Sequence, residues 1–296
     1  MDSYSVGPEE DGKRLREILR NGMRLSYSAM KSAKWNGRIT VNGETRAVDT
    51  RVRTGDQVSV VMPEKEPVFL PEPYDLPLNI PYEDSYLMIV DKPAPLASQS
   101  SRNHPGDSLE NAVYSYFGCP GDFVYRPVNR LDKGTSGLMV IAKDGHTQDL
   151  LQRMLHGEDF IREYLTLTEG IPELAEGEIN LPIGKRETAS IRREVRPNGQ
   201  SARTFYRVVE KRGGNRAVVR LRLGTGRTHQ IRVHLSAIGC PICGDFLYGT
   251  ELPQEFPGRF ALHSALLRLK HPLSGEIIRV ESLPEWLTDG QAVCSD

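Results

Sequence analysis

Asp132 stands where a carboxylate could do chemistry. It lies between Arg130 and Lys133 in the run Arg126-Pro127-Val128-Asn129-Arg130-Leu131-Asp132-Lys133-Gly134-Thr135-Ser136-Gly137, a Gly/Thr/Ser turn that feeds the apolar stretch Leu138 to Ala142. Loops braced by a rigid sheet are where active sites concentrate. A carboxylate acting as nucleophile or as proton-abstracting base must be ionised, and a nearby guanidinium lowers its pKa by about one to three units. Taken alone, Arg-Leu-Asp is an ordinary turn sequence, so the surrounding pattern has to decide. Two other constellations lead nowhere. Cys240-Pro241-Ile242-Cys243 has C-x-x-C spacing, but a structural zinc site needs four ligands and no second pair exists. A thioredoxin-like role needs a βαβ setting that the pattern does not supply. Gly224-Thr225-Gly226 opens like a dinucleotide loop, yet His229 replaces the third glycine of G-x-G-x-x-G. No metal and no cofactor is expected.

The elements that must position Asp132 are mostly strands. Leu87 to Val90 reads as a buried strand and Gly137 to Ala142 as another. Asp144 caps a helix carrying the stripe Leu150, Leu151, Met154 and Leu155. Leu165 and Leu167 alternate with Tyr164, Thr166 and Thr168 as in a half-buried strand. Thr204 to Val209 and Ala217 to Leu223 flank the hairpin turn Gly213-Gly214-Asn215, and Ala261 to Lys270 joins Glu276 to Val280 through Pro272 and Gly275. Hairpins with few helices imply an α+β fold whose sheet is mixed and largely antiparallel.

The 296 residues are 38% hydrophobic and 26% charged, enough to build a sizeable core and, at this length, two unequal domains. A formal net charge of −1 conceals clustering. Between Asp11 and Met62 eleven Lys or Arg face five acids, and between Lys185 and Arg232 fourteen face three. Two basic patches on a neutral protein suit a polyanion held at defined surfaces; taken singly, each is equally a solvated face. The N-terminal sequence has no basic segment followed by an apolar core, the longest apolar runs are too short for a bilayer, and four cysteines are too few for a disulfide framework. The expectation is a cytoplasmic, monomeric protein with free thiols and no membrane partner.

Residues 1–62 form the smaller expected domain. It has helices over Lys13 to Arg20 and Ser26 to Trp35, strands at Ile39 to Val41 and Gln57 to Val61, and turns at Asn42-Gly43 and Gly55-Asp56. This pattern resembles the S-four-like RNA-binding module. Six prolines between Pro63 and Pro81 predict a stiff extended linker over 63–81, which leaves 82–296 as the catalytic domain.

Across that domain the sequence resembles the RluA-type RNA pseudouridine synthase family. The run Arg130-Leu131-Asp132-Lys133-Gly134-Thr135-Ser136-Gly137-Leu138 follows the family signature H-R-L-D-x-x-T-S-G-L, with Asn129 where many members have His. Leu87 to Pro93 resembles the entry strand with its Lys-Pro, although Pro95 departs from the usual Gly. Gly226 to Leu235 matches the G-R-T-H-Q-I-R block, Gly244 to Gly249 the G-D-x-x-Y-G turn, and Ala261-Leu262-His263 with His271-Pro272 the closing strand. The resemblance implies isomerisation of uridine in ribosomal or transfer RNA, with Asp132 as the essential carboxylate. It also implies Arg227 as its paired arginine and Tyr164 as the tyrosine that stacks on the base and removes its C5 proton. Arg130 is implied to fill the space of the flipped nucleotide and Ile231 to pack beneath the base. Whether Asp132 attacks or abstracts a proton is left open. The alternatives are a catalytically inactive RNA-binding or ribosome-assembly factor and an N-glycosidase; the latter typically needs a second positioned carboxylate.

Overall fold

The computed structural model describes residues 2–25, 27–35, 38–61, 70–155, 157–186 and 191–288. The chain divides into two compact units at residues 69 and 70. Residues 63–69 of the segment expected as a linker, and the fourth cysteine, Cys294, lie outside the described residues.

In the first unit four short strands, β1 (Asp2–Ser5), β2 (Arg38–Val41), β3 (Glu44–Thr45) and β4 (Gln57–Val61), make an antiparallel sheet in the order β1-β4-β2-β3. Asn42 and Gly43, at φ of 51° and 83°, turn β2 into β3, as the Asn-Gly pair predicts. Asn42 also accepts from the Gln57 amide and donates to Asp56, both at 2.8 Å. The helix α1 (Leu15–Glu17) runs on as a wide turn over Ile18–Gly22, and α2 (Tyr27–Trp35) follows. Leu15, Ile18, Leu19 and Ala33 pack on Ile39, Val41, Val58 and Val60 in a separate core.

The second unit is built on a nine-stranded sheet. Its strands are β5 (Asn79–Glu83), β6 (Leu87–Lys92), β7 (Ser136–Ala142), β8 (Phe160–Glu169), β9 (Glu176–Asn180), β12 (Arg203–Arg212), β13 (Arg216–Leu223), β14 (Leu262–Lys270) and β15 (Ile277–Glu281). They run β5-β6-β7-β14-β8-β13-β12-β9 with β15 beside β14, while β10 (Ile183–Lys185) and β11 (Arg193–Val195) form a separate ribbon. Among the described strands only β7 and β14 pair in parallel, at His263 with Ser136 and Ser264 with Gly137. A Cβ at Gly137 would collide with the Ser264 backbone, so the strand junction beside the Asp132 loop requires glycine.

The continuous apolar runs of β6 and β7 are explained by burial on both faces. Met88, Val90, Met139 and Ile141 join one core with α3 (Leu109–Tyr116). Leu87, Ile89, Leu138 and Val140 join another with Leu151 of α4 (Gly145–Met154). Asp144 caps α4 by accepting from the Thr147 amide at 2.9 Å.

Two expectations need correction. Strand β8 is not half-buried: it lies between β13 and β14, and Tyr164 through Thr168 are all buried. Its threonines are tolerated there because Thr166 donates to the Ala261 carbonyl and Thr168 to the Gly170 carbonyl, each at 2.7 Å. Residues 70–81 belong to the second unit rather than to a free linker. Tyr74, Leu76, Leu78 and Ile80 pack against its larger core, and Pro81 is accepted because β5 is an edge strand.

Candidate active site

Asp132 sits in a loop held from several directions. Upstream, the Val128 amide donates to the Val140 carbonyl of β7 at 2.8 Å, and the Asn129 carboxamide oxygen accepts from the Val140 amide at 2.9 Å. Ser98 bonds both the amide and the carbonyl of Leu131, at 3.2 and 2.6 Å. The Lys92 ammonium is fully buried and donates to the Leu96, Pro93 and Lys133 carbonyls at 2.7, 3.0 and 3.5 Å. Burial lowers the Lys92 pKa to about 7, against the attraction of Asp132 and Asp91. The turn closes with the Thr135 amide donating to the Asp132 carbonyl at 3.0 Å. The carboxylate therefore stands on a fixed backbone.

The far wall is α5 (Gln230–Ala237) and the loop that enters it. Gln230 organises that loop, accepting from the Thr225 hydroxyl at 2.7 Å and the Arg227 amide at 3.0 Å while donating to the Arg203 carbonyl at 2.9 Å. His229 takes a left-handed φ of 58° at the head of α5, a strained conformation that clusters at functional sites. One turn on, Arg232 points back at Asp132. Its Nη1 donates to Asp132 Oδ2 at 3.1 Å, and its Nε and Nη2 donate to the two oxygens of Asp245, both at 2.7 Å. Arg232 is stacked over Phe260 at 4.2 Å and beside Tyr248 at 5.0 Å. Burial opposes its charge, but the bonds from Asp245 and the field of Asp132 outweigh burial and raise its pKa.

His229 completes the anchoring. Its Nε2 lies 3.8 Å from Asp132, and its Nδ1 meets the Tyr248 hydroxyl at 2.8 Å. The Arg193 amide donates to the same hydroxyl at 2.7 Å, so Tyr248 ties the His229 ring to the β11 segment. Burial lowers the His229 pKa in spite of Asp132, so the ring is neutral at neutral pH.

A cavity of about 70 Å³ gathers Asp132, Tyr164, Arg227, Arg130 and Ile231, together with Leu131, Leu223 and Leu262. All five residues singled out from the sequence line it. Tyr164 is buried on β8, and its burial pushes the phenol pKa up, partly offset by Arg162; it is a neutral hydroxyl at neutral pH. Arg130 is exposed at the mouth, with Nη1 3.4 Å from the Gln99 carboxamide oxygen. Ile231 is buried and forms part of the apolar lining.

The expected pairing of Arg227 with Asp132 is corrected. The Arg227 Nε donates to the Ser201 carbonyl at 3.0 Å and the side chain is exposed, whereas Arg232 holds Asp132. The reason is helical geometry. Arg227 lies in the loop before α5, while Arg232 on the first turn faces inward together with Ile231. Arg232 and His229 lie in the Gly226 to Leu235 block and Asp245 in the Gly244 to Gly249 turn, three functional positions that the sequence reading passes over. The usable signal was a second arginine in the same block followed by a Gly-Asp turn able to supply its counter-ion. Among the described residues, no cluster of three or more His, Cys, Asp or Glu is placed to hold a metal, and no helix is long and apolar enough to cross a membrane. Cys119, Cys240 and Cys243 are unpaired.

The chain is similar to proteins of known family. Residues 86–237 match the model of the RNA pseudouridylate synthase family. The chain is 33% identical over 279 residues to an uncharacterised RNA pseudouridine synthase, YhcT, of Bacillus subtilis, covering 94% of this chain and 91% of that protein. It is 38% identical over 271 residues to ribosomal large subunit pseudouridine synthase D of Vibrio cholerae, covering 85% and 81%. Among solved structures, human RNA pseudouridylate synthase domain containing 1 superposes with a TM-score of 0.60 at 25% identity, covering 72% of this chain and 86% of that one.

Proposed function

This chain belongs to the RNA pseudouridylate synthase family and is an isomerase acting on uridine in RNA; from that premise we propose that Asp132 is its essential carboxylate and ribosomal RNA its substrate. The observation that carries the assignment is the contact of Arg232 with Asp132 at 3.1 Å inside the cavity that Tyr164 and Ile231 line. The reaction breaks the bond from ribose C1′ to uracil N1, rotates the base, forms the bond from C1′ to C5, and transfers a proton from C5 while N1 gains one. Asp132 begins it, either by attack or by removing a ribose proton. Both routes need an ionised carboxylate, and the Arg232 guanidinium faces it at 3.1 Å.

The other residues have positioning and binding roles. The apolar side chains of Ile231, Leu131, Leu223 and Leu262 hold the uracil face, and Tyr164 stacks against it. As a buried phenol, Tyr164 takes the C5 proton only if its own proton leaves in the same step. The target base must leave its stack at a cost of a few kcal/mol, and Arg130 at the mouth is placed to occupy the vacated space. Ribosomal RNA as substrate is supported by the similarity to ribosomal large subunit pseudouridine synthase D of Vibrio cholerae. We further assign the first unit an S-four-like RNA-binding role, and the protein a cytoplasmic, monomeric state without metal or cofactor. The deciding experiment incubates wild-type and Asp132→Asn protein with unmodified large-subunit ribosomal RNA transcripts and maps pseudouridine by carbodiimide primer extension. Stops with wild type alone are expected; equal stops with the variant would remove Asp132 from the chemistry.

A further inference from the structure

Arg162 is an arginine only 7% exposed, two residues before Tyr164 on β8, and the mechanism does not use it. Among the described residues it has no carboxylate partner. Its Nη2 donates to the Leu155 carbonyl at the end of α4, at 3.3 Å, and its guanidinium lies 5.9 Å from the Phe160 ring. One hydrogen bond of five possible donors leaves a buried charge poorly compensated, and buried charges are ordinarily paired. The helix terminus supplies only a partial negative charge.

Arg162 lines a groove of about 790 Å³ that runs from Asp132 past Arg130, Gln148, Gln152 and Arg227. The charged lining is three arginines, Arg130, Arg162 and Arg227, against the single carboxylate of Asp132, which is already held by Arg232. A flipped uridine in the Asp132 cavity carries a phosphodiester on either side of its ribose, and a groove opening from that cavity is the path available to one of them. We infer that Arg162 binds the phosphate adjoining the target nucleotide, as the anion-holding residue of this groove. A planar guanidinium suits a phosphate oxygen pair. The inference rests on the Asp132 cavity being the uridine site. Arg162 is thereby a substrate-binding residue that neither the Asp132 loop nor α5 supplies.

The test is binding of a short oligouridylate to the full-length protein across a salt series. Loss of one phosphate contact on single-stranded RNA removes about 0.7 from the slope of log affinity against log salt. Arg162→Gln is expected to bind about tenfold more weakly with that smaller slope, while Arg162→Lys keeps most of the slope. A wild-type slope in Arg162→Gln, with the change confined to thermal stability, overturns the inference and leaves Arg162 as a cap on α4. Should Arg162→Gln fail to fold, the wild-type protein decides. The Arg162 Nε–H resonance, assigned from its absence in Arg162→Lys, shifts with oligouridylate and not with free uridine; indifference to both overturns the inference. Neither readout needs turnover, so a protein that binds through Arg162 yet makes no pseudouridine counts against the Asp132 assignment alone.

Discussion

Arg232 reaches Asp132 with a single nitrogen, Nη1 at 3.1 Å, because its other two are committed to Asp245 at 2.7 Å each. The guanidinium is thus fixed in its plane before any substrate arrives. Asp132 keeps about a third of its side-chain surface open to the cavity, and one of its oxygens is left without a charged partner. Among the described residues that oxygen is Oδ1, and on the proposed function it is the atom that would meet the nucleotide.

Asp132→Asn is nearly isosteric and removes the charge. We expect isomerisation to fall by about 10²–10⁴-fold or more, the range for removal of a group that acts directly in proton transfer, with little change in RNA affinity. The check is single-turnover pseudouridine formation beside filter binding on the same transcript; a variant that turns over at a comparable rate sinks the assignment.

Arg232 and Arg227 should behave differently on substitution. Arg232→Gln leaves Asp245 buried without its counter-ion, and removing one member of a buried pair costs about 3–5 kcal/mol. Asp245→Asn should cost a similar amount and lower activity through Asp132. Arg227 is exposed, so Arg227→Gln should stay within about 0.5 kcal/mol of wild type and raise KM. Urea denaturation of the three variants separates them, and a strongly destabilised Arg227→Gln would contradict the geometry.

Tyr164→Phe keeps the ring that stacks and deletes the hydroxyl. If that hydroxyl takes part in moving the C5 proton, the rate falls by about a hundredfold or more while RNA affinity is retained. Unchanged turnover would leave Tyr164 as a packing residue of β8.

Acid should destabilise the second unit. Burial lowers the pKa of His229, His234 and His263 below the ordinary 6.5, so the unfolded chain binds protons that the folded one refuses. Stability contributed in this way is complete above about pH 6.5 and is lost as pH falls from there toward the lowered folded values, by up to about 1.4 kcal/mol per pH unit for each proton. The lowered Lys92 pKa of about 7 makes stability fall already between pH 8 and pH 7, and the histidines should add a further decline below about pH 6.5 in urea unfolding. His234 bonds Thr204 and the Leu181 carbonyl, so His234→Gln should shallow the decline; an unchanged slope would remove His234 as a cause.

The strands were legible where one local rule governed them. Asn42-Gly43 and Gly213-Gly214-Asn215 marked hairpins by turn chemistry, and Leu87 to Val90 marked a strand by its unbroken apolar run. Strand β1 carries a single large apolar side chain, Tyr4, in Asp2–Ser5, so its pairing with β4 could not be read locally. Residues 70–81 were misjudged because prolines masked the alternation of Tyr74, Leu76, Leu78 and Ile80. The cavity residues were legible as types, but which arginine meets Asp132 depends on the facing of α5 and on Asp245, thirteen residues beyond Arg232. Arg162 was invisible for a related reason: that it has no counter-ion among the described residues is a fact of three-dimensional packing.

The first unit supplies the last prediction. It has its own core of Leu15, Ile18, Leu19, Val58 and Val60, and its surface carries Lys31, Lys34 and the exposed Trp35, with Lys34 5.2 Å from the indole ring. A cationic surface of this kind contacts phosphates rather than base edges, and each such contact on a single strand adds about 0.7 to the salt slope. Deleting residues 1–69 should therefore weaken binding and flatten its salt dependence by a multiple of that value. The second unit keeps both of its cores, and Asp132, Arg232 and Asp245 all lie within it. The truncated protein should consequently still isomerise a short RNA carrying the target uridine at low salt, with kcat retained and KM raised. Titrations of intact and truncated protein at several salt concentrations decide the point: equal slopes and equal affinities would make the basic surface a solvated face, and a truncated protein that folds but has lost kcat would place part of the catalytic machinery in the first unit.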